Sequence, residues 1–149
     1  MKTMKLSEIA AAVGGTASGE AEISGVCIDS RLAKQGEMYI AINGERFDGH
    51  DFTASALENG AVAAMIHHDV DCDGNFVRVD DTHQALMKLA NYMRNKFDIP
   101  VVGLTGSVGK TTTKEFLCTV LSQRFNTYKT EANYNSVVGM PMSVLGIDR

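Results

Sequence analysis

The stretch Thr105-Gly106-Ser107-Val108-Gly109-Lys110-Thr111-Thr112 constrains this chain more than any other. An apolar run, Val101-Val102-Gly103-Leu104, precedes it, and Phe116, Leu117, Val120 and Leu121 follow at helical spacing. Glycines let a backbone turn tightly and aim several N–H groups at one point. At the start of a helix those donors also feel the favourable end of the dipole for an anion. Lys110 adds an ammonium suited to β- and γ-phosphates, and the Thr111 hydroxyl is placed to hold Mg²⁺. The general phosphate-loop pattern GxxxxGK[ST] asks for a glycine where Leu104 stands, with Gly103 one residue off. The pattern therefore predicts a parallel strand over 101–105, a helix from about Lys110 to Gln123 and a further strand over 127–130. That is the opening of a doubly wound sheet, and two strands with one helix leave such a sheet incompletely covered.

The residues upstream read as a separate, compact α/β unit. Leu6, Ile9, Ala10 and Val13 predict a helix that Gly14-Gly15 stops. Strands are predicted over 24–28, 38–42, 61–66 and 76–79, with a polar loop at 43–50 and a short helix at 51–59 closed by Gly60. Leu86, Leu89, Ala90, Met93 and Phe97 form one apolar stripe, with Thr82 as the expected N-cap and Pro100 as the stop. The expected division is 1–82, a connecting helix at 83–98 that packs back on the first unit, and 99–149.

Composition narrows the function. The 149 residues carry 14 basic and 18 acidic side chains, a net charge of −4, and no basic footprint for nucleic acid. Residues 99–149 hold five basic against three acidic side chains, a mild positive balance that suits a small phosphorylated ligand. No apolar run is long enough to span a membrane, and the N-terminus lacks the apolar core of a signal peptide, so a cytoplasmic address is expected. Cys27, Cys72 and Cys118 lack zinc or disulfide spacing and read as reduced thiols. His67-His68 beside Asp69, Asp71 and Asp73 reads as a solvated acidic loop, and Met140 and Met142 as core fillers.

The phosphate loop without its early glycine resembles the ATP loop of the Mur ligases, which extend the UDP-linked precursor of bacterial peptidoglycan. Lys114-Glu115, then Asn133-Tyr134-Asn135-Ser136 and Gly139-Met140-Pro141, look like the branch that adds D-alanyl-D-alanine. That branch usually reads Gly-Asn-x-Asn-Asn-x-x-Gly-x-Pro, and here Ala132 and Ser136 depart from it. Asp29-Ser30-Arg31, Gly36, Tyr39-Ile40-Ala41-Ile42, Gly44 and Arg46-Phe47-Asp48-Gly49-His50-Asp51-Phe52 resemble the family's UDP-substrate domain. The resemblance covers essentially the whole chain.

It implies an α/β fold: a small N-terminal substrate-binding domain followed by the first part of a P-loop, doubly wound, parallel-sheet ATPase domain. It implies ATP and Mg²⁺, bound by Thr105, Gly106, Ser107, Val108, Gly109, Lys110, Thr111 and Thr112, with Lys110 and Thr111 catalytic and Thr111 on the metal. It implies substrate contacts from Ser30, Arg31, Gly44, Arg46, Asp48, His50, Asn133 and Asn135. A serine suits a uracil or ribose edge and an arginine a phosphate. Read without the family, Asp-Ser-Arg at a strand end is a turn, and His50 either touches ligand or orders its own loop. The implied partners are UDP-MurNAc-tripeptide and D-alanyl-D-alanine, joined through an acyl phosphate with release of ADP.

The family's remaining metal ligands, its modified lysine and its last domain lie outside these residues. The chain is thus expected to be the N-terminal portion of a longer, monomeric ligase, without turnover alone. Two alternatives stay open: another Mur-type or folylpolyglutamate-synthase-like ligase, and a short, non-catalytic module that binds a nucleotide or UDP-sugar.

Overall fold

The computed structural model describes residues 1–44, 46–131, 134 and 136–147. Among the described residues seven strands and five α-helices follow one another as β1 (Met4–Lys5), α1 (Leu6–Val13), β2 (Thr16–Ser18), β3 (Glu22–Ile23), β4 (Gly25–Cys27), β5 (Glu37–Ile40), α2 (Thr53–Glu58), β6 (Ala63–Ile66), β7 (Phe76–Arg78), α3 (Thr82–Asn95), α4 (Lys110–Leu121) and α5 (Gly139–Leu145). Single 3₁₀ turns occupy Ser30–Leu32 and Gly49–Phe52.

The central sheet runs β2-β7-β6-β5-β4. Its four strands from β4 to β7 are parallel, and β2 joins antiparallel to β7 at the edge. Alternation along each strand divides the side chains between two faces. Met38, Ile40, Met65 and Val77 meet Leu6, Ile9 and Val13 of α1 and Leu86, Leu89 and Met93 of α3 in one core. Tyr39, Ala41, Ala64 and Ile66 face the other way, against Ala56 of α2, with Cys27 and Ala61. Both faces are thus covered, as a parallel sheet requires.

Two local features set this geometry. Gly14 ends α1 at φ 76°, and the next residue, Gly15, passes so close to β7 that a Cβ there would lie 2.4 Å from the Arg78 carbonyl oxygen. The N-cap of α3 is Asp81, whose carboxylate accepts from the N–H groups of His83 and Gln84 at 2.8 and 3.0 Å. Thr82, the cap expected from sequence, is instead the first helical residue, and its buried hydroxyl donates to the Ala41 carbonyl at 2.8 Å. A carboxylate one residue earlier reaches two N–H groups, so it displaces the threonine. The stripe of α3 lies in the main core, so this helix is part of the first unit's packing.

The sheet expected around the phosphate loop does not form. Among the described residues no strand follows Arg78, and Val101 and Val102 are 62% and 64% exposed. A parallel strand exists only through its neighbours, and among the described residues 101–105 and 127–130 have none to pair with. The helix α4 forms where expected but buries no residue. Met142 packs beside the first core, whereas Met140 is 54% exposed and fills no core gap. It borders an apolar groove of about 510 Å³ between α3 and α5.

Candidate functional site

The phosphate loop enters α4 through two glycines with positive φ, Gly106 at 148° and Gly109 at 82°. Gly109 is the N-cap residue and supplies no side-chain acceptor. The first N–H groups of α4 therefore have no side-chain cap, which is the donor set an anion needs. A Cβ at Gly109 would meet nothing within 4 Å, so conformation, not crowding, demands glycine there. The Lys110 ammonium folds back on its loop and donates to the Gly106 carbonyl. Residues Thr105 to Thr112 are all exposed, so the loop is open to a ligand. The donors, the ammonium and the Thr111 hydroxyl fit a nucleotide polyphosphate and its Mg²⁺.

The second constellation lies at the carboxyl ends of the parallel strands, where open α/β sheets hold ligands. Asp29-Ser30-Arg31 follows β4, the 43–50 loop follows β5, and His67-His68-Asp69 follows β6. Ser30 is buried, and its carbonyl accepts from Asn59 Nδ2 at 3.0 Å. Arg31 is exposed but forks onto Asp29, with bonds of 2.9 and 2.6 Å. The guanidinium holds the Asp29 carboxyl down to about 2.

The 43–50 loop is a tight excursion. The N–H of Gly44 donates to Phe47 O, and that of Gly49 to Ile42 O. Arg46 and Phe47 project outward. Asp48 is the organising group. It accepts from the His50 backbone N–H at 2.9 Å, His50 Nδ1 at 2.6 Å and His68 Nε2 at 3.0 Å. These donors, the His50 N–H foremost, hold its carboxyl well below the usual range.

The partners fix the protonation of both rings. His50 Nε2 accepts from the His67 backbone N–H at 3.0 Å, so with Nδ1 donating to Asp48 the ring is neutral. Burial favours the same form by pushing its pKa down. His68 faces the Asp69 carbonyl with Nδ1 and the Asp48 carboxylate with Nε2, two acceptors that call for the doubly protonated ring. The Asp69 carbonyl, then Asp48, push its pKa up. The two rings stack at 3.8 Å, and His67 meets both edge-on.

The sequence-predicted residues therefore separate into groups. Thr105 to Thr112 come together in one loop. Ser30, Arg31, Gly44, Arg46, Asp48 and His50 lie on adjacent strand ends, with Arg31 and Arg46 exposed. Asp48 and His50 bond chiefly to each other, to backbone and to His68, and His50 orders its own loop. Asn133 and Asn135 fall outside the described residues. His67 and His68 belong to this cluster and not to a free acidic loop, although Asp69 beside them is exposed. A pair of histidines next to a strand end was the available signal; Asp48, the partner of His68, lies in a loop 20 residues earlier.

Residues 22–94 match the Mur ligase family, catalytic domain, and residues 104–149 match the Mur ligase middle domain. A UDP-N-acetylmuramoyl-tripeptide–D-alanyl-D-alanine ligase of Synechocystis sp. is 44% identical over 131 residues, covering 86% of this chain and 29% of that protein. A crystal structure of MurF from Acinetobacter baumannii superposes with a TM-score of 0.93 at 35% identity, over 99% of this chain and 34% of that one. MurF from Thermotoga maritima, solved in complex with ADP, gives a TM-score of 0.77 at 37% identity, over 84% of this chain and 29% of that one. The chain spans about a third of the length of the curated relatives it matches.

Proposed function

This chain belongs to the Mur ligase family, and from that premise we propose that it is the N-terminal part of a cytoplasmic, monomeric, ATP-dependent ligase joining D-alanyl-D-alanine to UDP-MurNAc-tripeptide. Residues 1–82 with the helix to 98 serve as the UDP-substrate unit, and 99–149 open the nucleotide unit. The observation that carries this reading is the uncapped N-terminus of α4, led in by Gly106 and Gly109 and carrying Lys110, in one chain with a parallel sheet whose strand ends gather polar loops.

The chemistry follows from charge. Moving a phosphoryl group from ATP to a carboxylate brings anions together, so the site must neutralise them. The loop N–H groups and the Lys110 ammonium bind and orient the β- and γ-phosphates. Lys110 leaves the Gly106 carbonyl to do so. Mg²⁺, held in part by the Thr111 hydroxyl, supplies further neutralisation when bound. Phosphoryl transfer to the carboxylate gives an acyl phosphate and ADP, and attack of the D-alanyl-D-alanine amine on the acyl carbon then forms the amide and releases inorganic phosphate. Arg31 and Arg46, exposed on adjacent strand ends, are the cations for the substrate diphosphate, and Ser30 lies beside Arg31. Gly44, Asp48 and His50 shape that site, and the family resemblance adds Asn133 and Asn135 as substrate-binding residues.

The test is ADP release by the natural full-length protein with UDP-MurNAc-tripeptide and D-alanyl-D-alanine. Release that depends on both substrates supports the reading. Release with a different amino acid moves the protein to another branch of the family. Residues 1–149 expressed alone are expected to release no ADP above background.

A further inference from the structure

Lys114 stands one helical turn after Lys110 on the same face of α4, yet the two ammonium groups do different things. Lys110 turns toward the phosphate loop, whereas Lys114 Nζ donates to the Thr130 carbonyl at 2.6 Å. The Lys114 side chain is only 18% exposed, on a helix where Phe116 is 69% exposed. Its neighbour Glu115 takes the Lys129 ammonium, so adjacent residues of α4 grip adjacent residues of the 127–130 segment. Among the described residues no sheet ladder holds that segment. On its other side it meets α5: a Cβ at Gly146 would lie 3.0 Å from the Tyr128 hydroxyl. The helix α5 in turn packs on α3, and Leu145 is buried in the first unit's core.

We propose that Lys114 is a positioning residue: it carries displacement of the phosphate loop, through the Thr130 carbonyl, to the 127–130 segment and so to α5. This rests on the nucleotide reading of the loop. The Lys114 ammonium is turned away from the loop, onto the Thr130 carbonyl and within 3.7 Å of the Glu115 carboxylate, whereas that of Lys110 stays on the loop itself, so phosphate binding falls to Lys110. A residue of this kind acts on alignment, where small misplacements are costly, and not on nucleotide affinity.

The test uses the natural full-length protein, Mg-ADP as the probe, and hydrogen exchange of backbone amides. In the parent protein ADP is expected to slow exchange both in 106–112 and in 127–130. In Lys114→Met the first protection persists with a Kd for ADP within about threefold of the parent, and the second is lost. Lys114→Arg, which keeps a cationic donor, is expected to restore it. In turnover Lys114→Met is expected to lower kcat by about 10- to 100-fold with little change in KM for ATP.

Persistent protection of 127–130 in Lys114→Met overturns the inference. So does a tenfold rise in the Kd for ADP, which would make Lys114 a phosphate ligand. Equal exchange profiles for the Met and Arg variants, both without the second protection, overturn the requirement for a cation. A parent that fails to bind ADP overturns the nucleotide reading and this inference together. A parent that binds ADP and turns over a different amino acid overturns only the proposed substrate.

Discussion

The helices α3 and α4 look alike in sequence and fare differently in the fold. Each carries an apolar stripe at helical spacing. In α3, Leu86, Leu89, Ala90 and Met93 are buried against the sheet and α1, whereas in α4 no residue is buried and Val120 is 68% exposed. Periodicity dictates that a helix forms and which face is apolar. It does not provide a surface to pack against, and most helical stability comes from that packing. The first region is held by close-packed side chains. Around the phosphate loop the described residues offer α4 no such surface, and there the local structure rests on glycine conformations and on the lysine contacts of α4.

The largest expected effect breaks the comparison on the side of chemistry. Lys110→Met in the full-length protein removes the loop's ammonium and is expected to lower kcat/KM for ATP by about 10²- to 10³-fold, read from ADP release, with an unchanged melting temperature. An unchanged rate would mean that this lysine is not a phosphate ligand. Next comes packing. Leu86→Ala deletes a fully buried side chain and should cost about 2–5 kcal/mol in urea unfolding.

A smaller effect sharpens the role of the histidine cluster. The folded pKa of His68 is raised, so its contribution is fully present below the ordinary histidine value and fades as pH rises through the folded value. His50 is shifted the other way, so its burial costs stability as pH falls below the ordinary value. His68→Gln should therefore be more destabilising at pH 5.5 than at pH 8, seen as a widening gap between the urea midpoints of variant and parent. A gap independent of pH would contradict the charged His68 inferred from its two acceptors. The smallest effect is Phe116→Ala in residues 1–149, expected to fall within about 0.5 kcal/mol of the parent. A loss near that of Leu86→Ala would show that α4 packs on a partner after all.

Much of this was legible where one residue type has one use. Gly109-Lys110-Thr111 after an apolar run announces the loop, and Leu6, Ile9, Ala10 and Val13 ending at Gly14 announce α1. The core strands β5 and β6 follow from unbroken apolar runs. What escaped has a common cause: it depends on partners far along the chain. The strands β1 and β3 are two residues each and exist through each other, and β2 is exposed throughout. The helix α5 is masked by Pro141, which its first turn tolerates. The binding of His68 by Asp48, and of Thr130 by Lys114, joins residues that no spacing rule connects. The strands expected near the loop failed for the opposite reason: a run can be apolar enough for a strand and still lack a neighbour.

The edge strand β2 has a consequence for how this protein is made. Its ladder pairs Ala17 with Val77, so this strand finds its partner only about 60 residues later, through the close pass at Gly15. A ribosome delivers the N-terminus first. The helix α1 and its apolar face therefore emerge with nothing to close against, and the sheet is sealed only when Phe76–Arg78 have been synthesised. Leu6, Ile9 and Val13 complete their packing later still, when Leu86, Leu89 and Met93 of α3 join the same core.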